Sequence, residues 1–279
     1  MYHNNILREK QTHNNIRKVI SIMDYNTYCK NVISYINNNV LKNYDYSIIR
    51  SRSTYTYNGI IVPRVSEILD LFGENTRSLL IWSNKLGLNG ERYIRYTNDV
   101  TNKGTLAHES IEKFLIYREE LDIKTLDHNV AYQVENAYNS FRIWWDEINQ
   151  NNKVSIINIE EELICKYFGG KYDCLLDING KKWLIDFKTS NYFNIKQILQ
   201  LGAYTYLLKT CKNVDIDGIL ILKVSKNSVH YEERILDFSV NEHRKFMNEC
   251  INHFLLMVAS YYGRNRIEYG YEQLFGKDH

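Results

Sequence analysis

The stretch GGKYDCLLDINGKKWLIDFKTS, residues 169–190, decides the fold. Asn179-Gly180 between alternating apolar residues is the strongest short-range hairpin signal, a two-residue turn with positive φ at both positions. Such a turn sets the register: Ile178 pairs with Lys181, Asp177 with Lys182, Leu176 with Trp183 and Leu175 with Leu184. Two steps further, Asp173 falls opposite Asp186. Alternation puts Asp173, Leu175, Asp177, Leu184, Asp186 and Lys188 on one face, and Cys174, Leu176, Trp183, Ile185 and Phe187 on the other. Opposed strand residues have Cβ atoms about 4.5–5.5 Å apart, where like charges destabilise. A divalent cation held between the two carboxylates resolves that conflict, and oxygen-rich sites suit Mg²⁺ or Mn²⁺. Lys188, on the same face, can orient or deprotonate a water, or stabilise charge developing on a phosphorus centre. Two solvated acids on an exposed sheet, with an Asp177–Lys182 ion pair at the rim, are the plainer alternative.

Outward from the hairpin, the grammar is that of an α/β protein. Helical spacing predicts helices over 104–121, with Leu106, Ala107, Ile111, Phe114 and Leu115 on the buried side, and over 129–148, 194–209 and 241–262. Strands are expected at 154–168, 171–178, 182–188, 214–225 and 229–240. The order helix, helix, three strands, helix, two strands, helix implies a central mixed β-sheet flanked by helices. Upstream, residues 24–45, the SEILDLF segment from Ser66 and 79–87 predict helices, and 55–62 predicts a small hairpin around Asn58-Gly59. The expected organisation is a flexible basic tail at 1–22, an N-terminal helical cap over 23–100 and a core over 101–279.

Composition narrows the function classes. The chain has 279 residues, a single proline (Pro63), and 35 Lys+Arg against 33 Asp+Glu, so neither disorder nor a repetitive architecture fits. No apolar run reaches the ~18 residues of a membrane span. Five scattered cysteines without a CxxC pair exclude zinc-ribbon spacing and read as reduced thiols of a cytoplasmic protein. The basic, Asn-rich start is also compatible with an organelle presequence, hence a mitochondrial alternative. No G-x-x-x-x-G-K-[ST] loop is present, so no ATP site is expected. The net charge of +2 conceals an asymmetry: residues 1–100 carry 13 Lys+Arg and 8 Asp+Glu. Arg50 and Arg52 lie beside Tyr55 and Tyr57, and Arg92 and Arg95 beside Tyr93 and Tyr96. Basic residues among aromatics suit a nucleic-acid strand, and a solvated face enriched in tyrosine is the alternative.

Four motifs in order resemble the PD-(D/E)XK nuclease superfamily, in its RecB-like exonuclease branch. Gly170, Asp173 and Asp186-Phe187-Lys188 match the G-x-x-D…D-x-K signature, and Lys188-Thr189-Ser190 its D-x-K-T-S ending. Gly104, His108 and Glu112 match a G-x-x-x-H-x-x-x-E helix, and Gln200 and Tyr204 a Q-x-x-x-Y helix. The resemblance implies a restriction-endonuclease-like core. It implies that His108, Asp173, Asp186 and the Phe187 backbone carbonyl ligate Mg²⁺ or Mn²⁺, with Lys188 at the attacking water. Gln200 and Tyr204, with Gln197 one turn earlier, would contact substrate phosphates and Lys188. Glu112 and one of Glu160, Glu161 and Glu162 would support the metal, Glu161 and Glu162 being taken as the nearer candidates. The late cysteine triplet of cluster-bearing relatives is missing, so no iron–sulfur cluster is expected. The expected activity is a DNA exonuclease of replication, recombination or repair, acting on ends or single strands alongside replication or recombination proteins. A structure- or sequence-specific endonuclease on the same fold and a non-catalytic nucleic-acid-binding module remain open.

Overall fold

The hairpin register holds from Ile178–Lys181 through Asp177–Lys182, Leu176–Trp183 and Leu175–Leu184 to Cys174–Ile185, and there the ladder ends. These pairs join β4 (Gly169–Ile178) to β5 (Lys181–Lys188) in a computed structural model that describes residues 25–72 and 76–276. The tail expected at 1–22 lies outside the described residues. Asn179 and Gly180 have φ of 56° and 82°, as the turn demands.

The other strands are β1 (Thr56–Tyr57), β2 (Ile60–Ile61), β3 (Val154–Ile164), β6 (Gly218–Val224) and β7 (Tyr231–Asp237). β1 and β2 form the small expected hairpin. The main sheet has the order β3-β4-β5-β6-β7. Its pairs are antiparallel except β5–β6, which is parallel. A parallel neighbour needs a crossover, and α6 (Ile195–Lys212) provides it. Seven helices are labelled in chain order: α1 (Tyr25–Tyr35), α2 (Val65–Leu69), α3 (Thr76–Leu88), α4 (Tyr93–Tyr117), α5 (His128–Asn151), α6 and α7 (Asn241–Phe275). The expected α/β class with a mixed sheet flanked by helices is the observed one.

One sheet face packs Cys174, Leu176, Ile185, Phe187, Leu220 and Leu222 against Ala107, Ile111 and Phe114 of α4 and Phe141, Trp144 and Trp145 of α5. The alternate residues Leu175, Leu184, Ile219 and Ile221 are equally buried, on the side of α6. Burying side chains of this size is worth about 1.5–3 kcal/mol each, so both faces of the strands that carry the signature are anchored.

Several boundaries differ from expectation. α4 begins at Tyr93 rather than 104, so the expected border between 100 and 101 falls inside one helix. It ends at Tyr117, four residues earlier than the expected 121, where Arg118 with a φ of 59° caps it. α7 runs on past 262 to Phe275, since Gly263 and Gly270 are helical rather than terminal. The helix expected over 24–45 is α1 followed by a π-helical turn at Ile36–Val40. The described residues form two compact units, one within 49–261 and one of 25–48 with 262–276. The smaller one buries Ile36, Val40, Tyr44 and Tyr262, the two tyrosine rings meeting edge-on at 5.3 Å.

Candidate active site

The signature residues sit where β4 and β5 stop pairing. Beyond Cys174–Ile185, the Phe187 amide donates to Oδ2 of Asp173 at 2.7 Å instead of to a backbone carbonyl of β4. A carboxylate therefore spans the gap between the two chains. Asp186, 1% exposed, lies one residue before that contact. The expected juxtaposition of the two aspartates is present as a fork rather than as a closed ladder pair.

Burial dominates the electrostatics of the fork. It pushes both Asp173 and Asp186 up to about 6, against the opposing charge of Lys188. Lys188 Nζ lies 2.9 Å from Oδ1 of Asp186 and 2.8 Å from Oδ2. Only Oδ1 accepts a hydrogen bond; Oδ2 is buried without a partner of acceptable geometry. Burial works against the Lys188 charge, but Asp186 and Asp173 outweigh it and hold the ammonium above its usual range. His108 reaches the same place from α4, its Nδ1 3.7 Å from Oδ2 of Asp173 and its ring edge-on to Phe187. Burial, then Lys188, hold the imidazole below its usual range, so it is neutral at pH 7.

A second hydrogen-bonded line fixes the lysine. Gln200 Oε1 accepts from Lys188 Nζ at 3.2 Å, and Gln200 Nε2 donates to the Tyr204 hydroxyl at 2.9 Å. Both residues face the sheet because α6 starts at a fixed point. The Asn194 side chain accepts from the Gln197 amide, and the Gln197 side chain accepts from the Asn194 amide. Gln197 also donates to Ser190 Oγ at 3.2 Å. Its carboxamide thus helps to start the helix. Gly170 is required by packing: a Cβ there would lie 2.7 Å from Cε1 of Tyr204 and 2.9 Å from Cγ2 of Val65. Gly104 likewise lets Thr189 Oγ1 approach α4, 3.1 Å from where a Cβ would stand.

The supporting acids separate. Glu161 accepts from the Tyr172 hydroxyl at 2.6 Å and pairs with Lys212 at 2.7 Å. Glu162 lies near Tyr55, whose hydroxyl its charge helps to raise after burial. Glu160 is the member of the trio whose charge reaches both His108 and Asp173. The neighbouring pairs Ile159–Cys174 and Glu161–Tyr172 put Glu160 across from Asp173. Its φ of 50° and its ion pair with Lys171 set the side chain there. Glu112, half-buried on α4, feels Glu160 and Lys171, and burial raises its carboxyl. Arg50 and Arg52 are exposed in the segment before β1. The Arg52 amide donates to Glu67 at 3.1 Å. Arg92 and Arg95 stand at the start of α4, about 20 Å or more along its axis from His108, and are not part of the cluster.

Two carboxylates, a neutral imidazole and the Phe187 carbonyl form the donor chemistry a hard divalent ion takes, and the buried Oδ2 of Asp186, which accepts no hydrogen bond and meets only the charge of Lys188, fits such a ligand. Among the described residues, no three His, Cys, Asp or Glu side chains already converge on one point. The Lys188 ammonium lies against Asp186 instead.

Fold and cluster together define a class: an α/β protein whose mixed sheet opens a fork of one buried and one half-buried carboxylate and a lysine between β4 and β5. Neither the family models nor the curated proteins searched contain a match to this chain. Among solved structures it is similar to a phage-related exonuclease from Haemophilus somnus 129PT, at 12% identity and a TM-score of 0.30, over 59% of this chain and 82% of that one. It is also similar to SSO0001, at 14% identity and a TM-score of 0.24, over 55% of this chain and 73% of that one. Likenesses this distant carry no argument about activity. No described helix is long and apolar enough to cross a membrane.

Proposed function

We propose that the protein is a metal-dependent deoxyribonuclease of the PD-(D/E)XK type, an exonuclease that hydrolyses phosphodiester bonds at DNA ends or in single strands. The observation that carries this reading is the fork, where Asp173, Asp186 and Lys188 meet with a second line of support from Gln200 and Tyr204. Asp173, Asp186, His108 and the Phe187 carbonyl would hold Mg²⁺ or Mn²⁺, which supplies polarisation of the scissile phosphate and a lower pKa for an attacking water. Lys188, held above its usual range by the two carboxylates, would orient the nucleophile and stabilise negative charge on the phosphoryl oxygens. Gln200, anchored by Tyr204, keeps the ammonium aimed and is a positioning residue. Glu160 adds negative potential next to Asp173 and strengthens cation binding.

The test is digestion of end-labelled linear DNA with Mg²⁺ or Mn²⁺, beside covalently closed circular DNA. The native chain is expected to release label and leave the circle intact, while Asp186→Ala and Lys188→Ala lose about 10²-fold or more. Equal activity in all three proteins would sink the mechanism, and nicking of the circle would make it an endonuclease.

A further inference from the structure

The connection over residues 189–194 joins β5, which carries Asp186 and Lys188, to α6, which carries Gln200. Its far side is gripped by β6 and β7. In the parallel ladder Lys188 is the register partner of Lys223, and in the next ladder Lys223 is the partner of Glu232. Alternation therefore puts Lys223, one strand over, on the face that bears Asp186 and Lys188. Two lysines side by side on one face repel, and here each is drawn aside by its own acid. Lys188 turns to Asp186, and Lys223 pairs with Glu232.

Lys223 Nζ also donates to the Asn191 carbonyl oxygen at 3.1 Å and lies 5.1 Å from the centre of the Phe193 ring. The Arg234 guanidinium lies 4.4 Å from the same ring. Arg234 pairs with Ile221, so both cations rise from the face of the sheet that carries the fork. A cleft of about 310 Å³ opens beside this bracket, lined in part by Ile195, Ile198, Ile221 and Leu236. Apolar packing is thus incomplete under the first turns of α6. What holds its start is polar: the Asn194–Gln197 cap, Gln197 on Ser190, and Lys223 on Asn191. Gln200 follows Ile195 by five residues, about 7.5 Å of helix rise. Its bond to Lys188 is already 3.2 Å long, so a shift of a few tenths of an ångström at the helix start takes it out of normal range.

We infer that Lys223 is a positioning residue for the reaction: through Asn191 and Phe193 it fixes the start of α6 and so the aim of Gln200 at Lys188, while Glu232 keeps its charge away from the fork. The inference rests on the nuclease reading and adds to that site a support from β6 and β7. It sets an order of effects. Without Lys223 the connection loses its brace and Lys188 its aim. Without Glu232 the brace loosens and an ammonium lacking its acid stands one strand from Lys188, where it competes for Asp186 and repels a cation. Removing both leaves only the milder loss. Little stability is at stake, because Glu232 and Asn191 are open to solvent.

The first measurement needs no DNA. The metal-free full chain is labelled with ¹⁵N-lysine, and the Lys188 ammonium signal is assigned by its loss in Lys188→Arg. Lys223→Met is expected to move that signal and Lys223→Arg to return it toward the native position, with thermal melts close to native. Glu232→Gln, which keeps the side-chain shape, carries the same reading should the methionine protein melt early. The second measurement is digestion of linear DNA in Mg²⁺. Lys223→Met should lower kcat about 10-fold with KM little changed. Glu232→Gln should lower it further, and the double variant Lys223→Met, Glu232→Gln should regain the Lys223→Met level. Added to Gln200→Ala, Lys223→Met should cost almost nothing more, because both act on Lys188 through one line. A Lys188 signal unmoved in both Lys223→Met and Glu232→Gln overturns the inference, as do losses of kcat in Lys223→Met and Gln200→Ala that multiply. A chain whose Lys188 signal moves as expected yet digests no DNA supports the brace and sinks the nuclease reading separately.

Discussion

The Phe187 amide donates to the Asp173 carboxylate at 2.7 Å, so the backbone of the second signature strand is fastened to the side chain of the first. The contact replaces a ladder hydrogen bond with a charged acceptor at the point where the strands part. It ties the position of one proposed metal ligand to the carbonyl-bearing residue of another.

Replacing Asp173 with Ala therefore removes two things at once. The Phe187 amide loses its acceptor, at a cost of about 1–3 kcal/mol, and the site loses a carboxylate. Asp173→Asn keeps an acceptor and should lose activity with a much smaller loss of stability. Urea denaturation beside a digestion assay separates the two effects; equal stability of the Ala and Asn proteins would contradict the role given to this bond.

Metal-free stability should depend on pH with a definite sign. Asp173 and Asp186 are each raised by burial from 3.8 in the unfolded chain to about 6 in the folded one. Groups raised on folding contribute stability fully below the unfolded value, and that contribution is lost as pH rises through the folded one. In EDTA the melting temperature should fall between pH 4 and pH 6 through these two groups, and Asp186→Asn should flatten the fall by a few degrees. Mg²⁺ or Mn²⁺ at pH 7 should raise the native melting temperature and leave Asp186→Asn little changed. A pH profile identical in the two proteins would count against the assignment.

Of the glutamate trio, Glu160 and Glu161 should fail differently. Glu160→Gln weakens the potential beside Asp173 and is expected to raise the Mg²⁺ concentration for half-activity about 10-fold or more. Glu161→Gln weakens the bonds to Tyr172 and Lys212 and should cost about 1 kcal/mol of stability, with the metal requirement unmoved. Metal titrations and melts of both variants decide it; the opposite pattern would return Glu161 to the site.

Gly170→Ala should disturb the lysine at a distance. The added methyl meets Tyr204 at 2.7 Å and Val65 at 2.9 Å, forcing a shift worth about 1–3 kcal/mol. Because Tyr204 holds Gln200 and Gln200 holds Lys188, kcat is expected to fall while KM changes little. Tyr204→Phe, which deletes the hydroxyl without the clash, should reproduce the loss of kcat at near-native stability. A Tyr204→Phe protein with full activity would show that the line from Tyr204 to Lys188 is dispensable.

The fork was legible in the sequence because a two-residue Asn-Gly turn converts spacing into register without knowledge of the rest of the chain. Glu160 was not. Three consecutive glutamates defeat a period of two, and the extra residue between Ile156 and Asn158 shifts the register of β3 before they are reached. The left-handed φ of Glu160 then reorients a residue type for which that conformation is uncommon. The early part of α4 escaped for another reason: most of its residues before Lys103 are exposed, so no apolar periodicity marks them as helical. The capping role of Gln197 was not legible either, because a capping glutamine and a phosphate-binding glutamine occupy the same helical position.

The turn at Asn179-Gly180 has a consequence for how this chain tolerates change. Asp173 lies six residues before it and Asp186 six residues after it. Inserting or deleting one residue between Ile178 and Ile185 would alter none of the chemical groups at the fork, yet would slide one strand by a step and send Asp186 to the opposite face. The region is therefore far more exposed to small frame-preserving insertions and deletions than to most substitutions. A library of single-codon indels across the hairpin should lose function almost uniformly, while the substituted turn itself remains permissive wherever Gly or Asn is retained.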